Sequence, residues 1–153
     1  MRVPADGEFR LDDEAATARM GRAIAAILEV GEAVCLTGPL GAGKSVLARA
    51  LVRALSPMER DVPSPTYTLA QFYEGARFPI VHFDLYRLTS ADEAFELGVA
   101  EALSDGAAVI EWAERLGHHL PPDRLDVAIE IAGEARRARL SAEGRWEGRA
   151  LEL

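Results

Sequence analysis

The run Gly38-Pro39-Leu40-Gly41-Ala42-Gly43-Lys44-Ser45 sets three glycines, an ammonium and a hydroxyl within eight residues. In the pattern G-x-x-x-x-G-K-[ST], these residue types suit one kind of chemistry. The glycines let successive backbone N–H groups turn inward around anionic oxygens, at the positive end of the helix that follows. Lys44 then reaches the β- and γ-phosphates of a nucleotide, and the Ser45 hydroxyl supplies a ligand for Mg²⁺. Leu40, Gly41, Ala42, Gly43, Lys44 and Ser45 are therefore the candidate phosphate-binding residues. Lys44 is the only lysine among seventeen basic residues, the other sixteen being arginine. A compact ammonium on a flexible stem lies along a phosphate tail in a way that a planar guanidinium fork does not, and a chain that spells Arg elsewhere keeps Lys here.

Two carboxylates end apolar runs: Asp84 after Ile80-Val81-His82-Phe83, and Glu111 after Ala108-Val109-Ile110. If both runs are strands beside the loop strand, both acids stand at the carboxyl edge of the sheet, where ligands of open α/β folds bind. Either can bind Mg²⁺, directly or through water, and the other can orient or deprotonate an attacking water. A plainer role for each is to cap a turn or to pair with Arg87 or Arg115. His82 precedes Asp84 by two residues and shares its strand face, which fits a hydrogen-bonding core histidine better than a base. Thr66, in Ser64-Pro65-Thr66-Tyr67, is a loop hydroxyl able to sense a γ-phosphate, and equally good turn chemistry. Trp112 directly follows Glu111, as a packing anchor or as part of a binding surface.

The elements that must position these groups follow from the apolar pattern. Asp12 or Asp13 caps a helix through Ala16, Met20, Ile24, Ile27 and Leu28 that ends at Gly31. Ala33 to Thr37 reads as a buried strand, and Lys44 to Leu55 as a helix stopped by Ser56-Pro57. Strand, loop and helix in that order are the context the phosphate loop requires. Strands are expected at 66–73, 79–84 and 107–111, with Ser90 capping a short helix that stops near Gly98 and a further turn running through Leu103. The tail, 125–131, 135–141 and 146–153, reads as short antiparallel strands joined at Gly133 and Gly144. The predicted fold is α/β: a three-layer P-loop NTPase-like domain, residues 1–153, with a central mixed sheet and a C-terminal antiparallel extension.

Composition bounds the rest. With 153 residues and about half of them apolar, the chain suits one compact domain and is short for two. A net charge of −8, with no basic run interleaved with aromatics, argues against autonomous nucleic-acid binding. Arg136, Arg137 and Arg139 read as the solvated face of a strand. The lone Cys35, in an apolar run, is a small buried hydrophobe and suits a reducing cytosol. No apolar stretch approaches the ~20 residues of a membrane span, and Met1 to Arg10 holds no signal-peptide core, so a cytoplasmic location is expected.

Four segments in order resemble one family: the loop at 38–45, Ser64-Pro65-Thr66-Tyr67-Thr68-Leu69, His82-Phe83-Asp84-Leu85-Tyr86-Arg87-Leu88, and Glu111-Trp112-Ala113-Glu114. The chain resembles the bacterial TsaE (YjeE) family from about Leu11 to Ile131. That resemblance implies a small ATPase with ATP and Mg²⁺ as cofactors. It would support threonylcarbamoyl modification of adenosine beside the anticodon of tRNA, acting with the proteins TsaD and TsaB. It further implies Ser45 and Glu111 as the Mg²⁺ ligands, Lys44 and the loop amides on phosphate, Asp84 as needed for hydrolysis, Glu14 near the adenine, and Thr66 in a switch-like loop. Lys-Ser-Val replaces the family's commoner Lys-Thr-Thr, and Ala113 replaces a proline, loosening the turn after Glu111. A small-molecule kinase with the same loop is the rival reading, although arginine is scarce between Arg87 and Arg115 for a lid. A GTPase fits worse, because guanine-reading Asn-Lys-x-Asp needs a second lysine.

Overall fold

The computed structural model describes residues 1–59, 62 and 69–153. In chain order it contains β1 (Arg2–Pro4), β2 (Gly7–Leu11), α1 (Glu14–Ile27), β3 (Ala33–Thr37), α2 (Lys44–Leu55), β4 (Ala70–Tyr73), β5 (Ile80–Asp84), α3 (Ala91–Phe95) and α4 (Val99–Asp105). There follow β6 (Ala107–Glu111), a 3-10 segment Ala113–His119, β7 (Arg124–Ala132), β8 (Ala135–Glu143), a 3-10 turn Gly144–Trp146, and β9 (Ala150–Glu152).

Seven strands form one mixed sheet in the order β2-β8-β7-β3-β6-β5-β4. The four in the middle, β7, β3, β6 and β5, are mutually parallel, and antiparallel strands flank them on both sides. β3 and β6 are buried on both faces, which is why Ala33-Val34-Cys35-Leu36 and Ala107-Ala108-Val109-Ile110 run apolar without alternation. On one face α1 and α2 pack Met20, Ile24, Leu28, Leu47 and Leu51 against Val34, Leu36, Val109 and Val127. On the other, Leu88, Ala94, Val99 and Leu116 cover Ala33, Cys35, Ala108 and Ile110. Each fully buried large aliphatic side chain contributes roughly 1.5–3 kcal/mol. Burial also raises the Cys35 thiol far above its ordinary value, so it packs as a hydrophobe.

Asp13 is the α1 cap, its Oδ1 accepting from Ala16 N at 2.9 Å, and Ser90 caps α3. Four expectations shift. The stretch expected as a strand from Thr66 is β4 from Ala70, and residues 66–68 lie outside the described residues. β1 and β2 are strands the apolar pattern did not flag, since Gly7-Glu8-Phe9-Arg10-Leu11 carries little periodicity and owes its conformation to pairing with β8. β7 is more than part of an antiparallel tail, because it also pairs parallel with β3. The third tail strand is only Ala150–Glu152, which leaves the large sheet to pair with β1, while Trp146 is fully buried in the core at the end of a 3-10 turn. No helix among the described residues is long and apolar enough to cross a membrane.

The tail is clamped to the front of β3 by a buried ion pair. Glu32 is fully buried, and Arg149 grips it with Nη2 to Oε2 at 2.6 Å and Nη1 to Oε1 at 2.7 Å. The Glu29 N–H adds a third bond to Oε1, and the Arg149 guanidinium lies 4.8 Å above the Trp146 ring. Removing the fork leaves a buried carboxylate with only the Glu29 N–H and the half-exposed Arg145, 3.6 Å from Oε2, as partners. Arg149→Ala should therefore cost about 3 kcal/mol in urea unfolding. Arg149→Lys should recover less than half of that, because an ammonium cannot make the bidentate contact.

Candidate functional site

β3 delivers the chain to Gly38, whose φ is +137° and whose Cα stands so close to the Ile129 carbonyl that a Cβ would collide with it. The loop closes at Gly43, φ +112°, the N-cap of α2. Both positions demand glycine. Gly43 offers no side-chain cap, so the first turn of α2, Lys44 to Val46, meets the adjoining cavity with its N–H groups uncapped. That cavity, about 440 Å³, is of a size for a small-molecule ligand.

Lys44 is nearly buried, its Nζ donating to the carbonyls of Gly38 at 2.5 Å and Pro39 at 2.8 Å and lying 4.3 Å from the Trp112 ring centroid. Desolvation draws its ammonium below the usual lysine value, against the opposing pull of Glu111, Glu114 and Asp84. Among the described residues no carboxylate is within ion-pair distance of Nζ, so its charge is left for an anion.

Asp84 and Glu111 are direct partners in the parallel register of β5 and β6, which sets two acids side by side at the carboxyl edge of the sheet. Both are buried. Glu111 is held at each oxygen: Ser45 Oγ donates to Oε1 at 2.7 Å, and His82 Nε2 bonds Oε2 at 2.6 Å. Burial alone would push the Glu111 carboxyl up. The His82 hydrogen bond and field, the Ser45 hydroxyl and the Lys44 charge outweigh it and hold the group below its ordinary range. His82 is completely buried, and its Nδ1 has no partner among the described residues. It serves Glu111, as a hydrogen-bonding core histidine does. Asp84 Oδ1 accepts from Tyr86 N at 3.1 Å.

Trp112 adopts the left-handed conformation, φ +59° and ψ 43°, which bulky residues seldom do. The turn it makes lays its ring 4.9 Å from that of Tyr86, and the two aromatics wall the cavity beside Lys44. Of the residues singled out from the sequence, Glu14, Leu40, Gly41, Ala42, Gly43, Lys44, Ser45, Asp84 and Glu111 all line this cavity. Thr66 lies outside the described residues. Sequence reasoning missed Asp12, Asp13 and Thr17 as lining residues, and above all Glu134 and Arg136. Arg136 does not simply face solvent: it is half-buried, and its Nη2 donates to the Gly41 carbonyl at 3.2 Å. No local pattern signals this. The contact exists because β8 pairs with β2 at Leu11↔Arg136, just before α1 begins. Arg137 and Arg139 do lie exposed, with Arg139 bonded to Glu8.

Residues 11–139 match the model of the family described as threonylcarbamoyl adenosine biosynthesis protein TsaE. Among similar proteins, one from Rickettsia felis is 37% identical over 127 residues, spanning 83% of this chain and 74% of its own length. One from Streptomyces coelicolor is 38% identical, over 83% of this chain and 91% of its own length. Both are named tRNA threonylcarbamoyladenosine biosynthesis protein TsaE. The crystal structure of Bacillus subtilis YdiB superposes with a TM-score of 0.74 at 28% identity, covering 96% of this chain and 90% of that one.

The depressed Glu111 carboxyl has a pH signature. The unfolded chain takes up this proton near the ordinary value of 4.5, before the folded chain does, so Glu111 adds stability above that pH and loses it as the pH falls through its lower folded value. In urea unfolding, stability should drop more steeply on acidification below pH 4.5 for the wild type than for Glu111→Gln. Parallel profiles would contradict the assignment.

Proposed function

Because this chain belongs to the TsaE family, we propose that it binds ATP with Mg²⁺, hydrolyses it slowly, and so supports threonylcarbamoyl modification of adenosine next to the anticodon in tRNA. Its partners on this reading are TsaD and TsaB, in the cytoplasm. The observation that carries the nucleotide part is the Ser45–Glu111 contact at the uncapped start of α2, with the Lys44 ammonium beside it. A hydroxyl and a buried, ionised carboxylate 2.7 Å apart are hard oxygen donors of the kind Mg²⁺ takes. The donor set therefore fits the ion, with Ser45 and Glu111 as its holders, and the ion would neutralise charge on the β- and γ-phosphates.

The remaining roles belong to the chain's own groups. The α2 N–H groups and Lys44 bind and straighten the phosphate tail. His82 keeps Glu111 ionised and aimed, and its burial keeps the Glu111 oxygens from wandering into water. Asp84 lies on the neighbouring strand level with Glu111, and on this reading it orients an attacking water or takes its proton. Tyr86 and Trp112 exclude bulk solvent from one side.

Phosphate release measured with purified protein and no acceptor separates a hydrolase from a kinase. Lys44→Ala should lower turnover by roughly 10²-fold or more, as loss of a charge-stabilising donor does elsewhere. Glu111→Gln should abolish the Mg²⁺ dependence of ATP binding, whereas Asp84→Asn should keep binding and slow hydrolysis. Equal effects of the last two on affinity and on turnover would refute the division of roles. Retention of tRNA modification in Lys44→Ala would refute the cellular reading.

A further inference from the structure

A second constellation of ligating groups lies away from the nucleotide-type cavity, where α3 meets the end of the 3-10 segment Ala113–His119. Among the described residues, Asp92, His118 and His119 are the one group of three or more acidic, histidine or cysteine side chains with metal-binding proximity, all their ligating atoms lying within 4.8 Å of one another. His119 Nε2 bonds Asp92 Oδ1 at 2.7 Å. The two imidazoles face each other with centroids 4.0 Å apart. Neighbouring residues of a regular helix point their side chains apart, and here Gly117, with φ 52° and ψ −123°, breaks the helix just before the pair. His119 is further fixed by flat stacking on Phe95, 4.4 Å away and 8° from parallel.

We propose that Asp92, His118 and His119 form a surface site for a borderline divalent transition-metal ion, with Zn²⁺ as the natural test, and with water completing the coordination. Two imidazoles and a carboxylate are a donor set that zinc, nickel and copper accept and that magnesium does not favour. Ligands of a tetrahedral zinc stand about 3.3 Å apart, given bonds of ~2.0–2.1 Å, so the widest pair must close by about 1.5 Å. Asp92 and His118 are exposed and free to turn inward, while the stacked His119 serves as the fixed point. Binding would join α3 to the segment that leaves the cavity at Trp112. The site takes a different ion by different donors from those of the nucleotide reading, and it does not depend on that reading.

The test uses the untagged full chain in a buffer free of nucleotide and chelator. Calorimetric titration with Zn²⁺ should show one equivalent bound, and thermal unfolding should shift upward with added zinc. Substituting Co²⁺ should give the visible absorption of a low-coordinate nitrogen and oxygen site. His118→Ala, His119→Ala and Asp92→Asn should each weaken zinc binding roughly tenfold or more while leaving ATP binding unchanged. Glu111→Gln should leave zinc binding intact. The proposal is overturned if the three variants bind zinc as the wild type does, or if Glu111→Gln abolishes zinc binding, which would place the ion in the other site.

Discussion

A carboxylate buried at the last position of a central strand, gripped from one side by a hydroxyl and from the other by an imidazole, is the contact on which the rest of the site depends. Left alone, burial would push the Glu111 carboxyl up; the bonds from His82 and Ser45 and the nearby Lys44 hold it below its ordinary range. Each partner arrives by a different route. Ser45 comes from the first turn of α2, His82 from β5, and Glu111 from β6. The contact is satisfied only when α2 sits at one place along β6 and β5 holds one register against it. A slip of β5 by one residue would turn His82 and Asp84 to the opposite face and leave Glu111 buried and under-bonded. The cost of that error, several kcal/mol for an unpaired buried charge, makes the site part of what specifies the sheet.

How far the sequence alone could be read divides along the same line between local and long-range causes. β3, α2 and β6 begin and end where the apolar runs and the glycine loop put them, because both signals are carried within a dozen residues. The residues read as candidates, Thr66 aside, come together around one cavity because strand ends and a glycine loop leave little freedom in where they point. What was illegible arises from pairing between distant segments. β2 has no pattern of its own and is a strand because β8 offers it a partner. Arg136 reads as one of three arginines on a solvated strand, yet the same pairing brings it to the Gly41 carbonyl. The His82–Glu111 bond spans twenty-nine residues of sequence and rests on parallel register, which periodicity does not report. The brief β9 and the buried Trp146 were hidden for a related reason: one buried indole, not an alternating run, decides where the tail goes.

The antiparallel additions to the sheet therefore do more than lengthen it. By pairing β2 with β8 at Leu11↔Arg136, the fold carries both the start of α1 and the turn before β8 to a cavity that is also lined by the loop at 40–43 and the first turn of α2. The lining carries both signs of charge, Lys44 and Arg136 together with Asp12, Asp13, Glu14, Asp84, Glu111 and Glu134, and Arg136 is bonded to the Gly41 carbonyl of the loop. The clamp of Arg149 on Glu32 secures the same arrangement from behind, since it ties the tail that follows β8 to the residue just ahead of β3. The cavity is thereby held by one ion pair on a buried carboxylate and one strand pairing, neither of which involves Asp84 or Glu111.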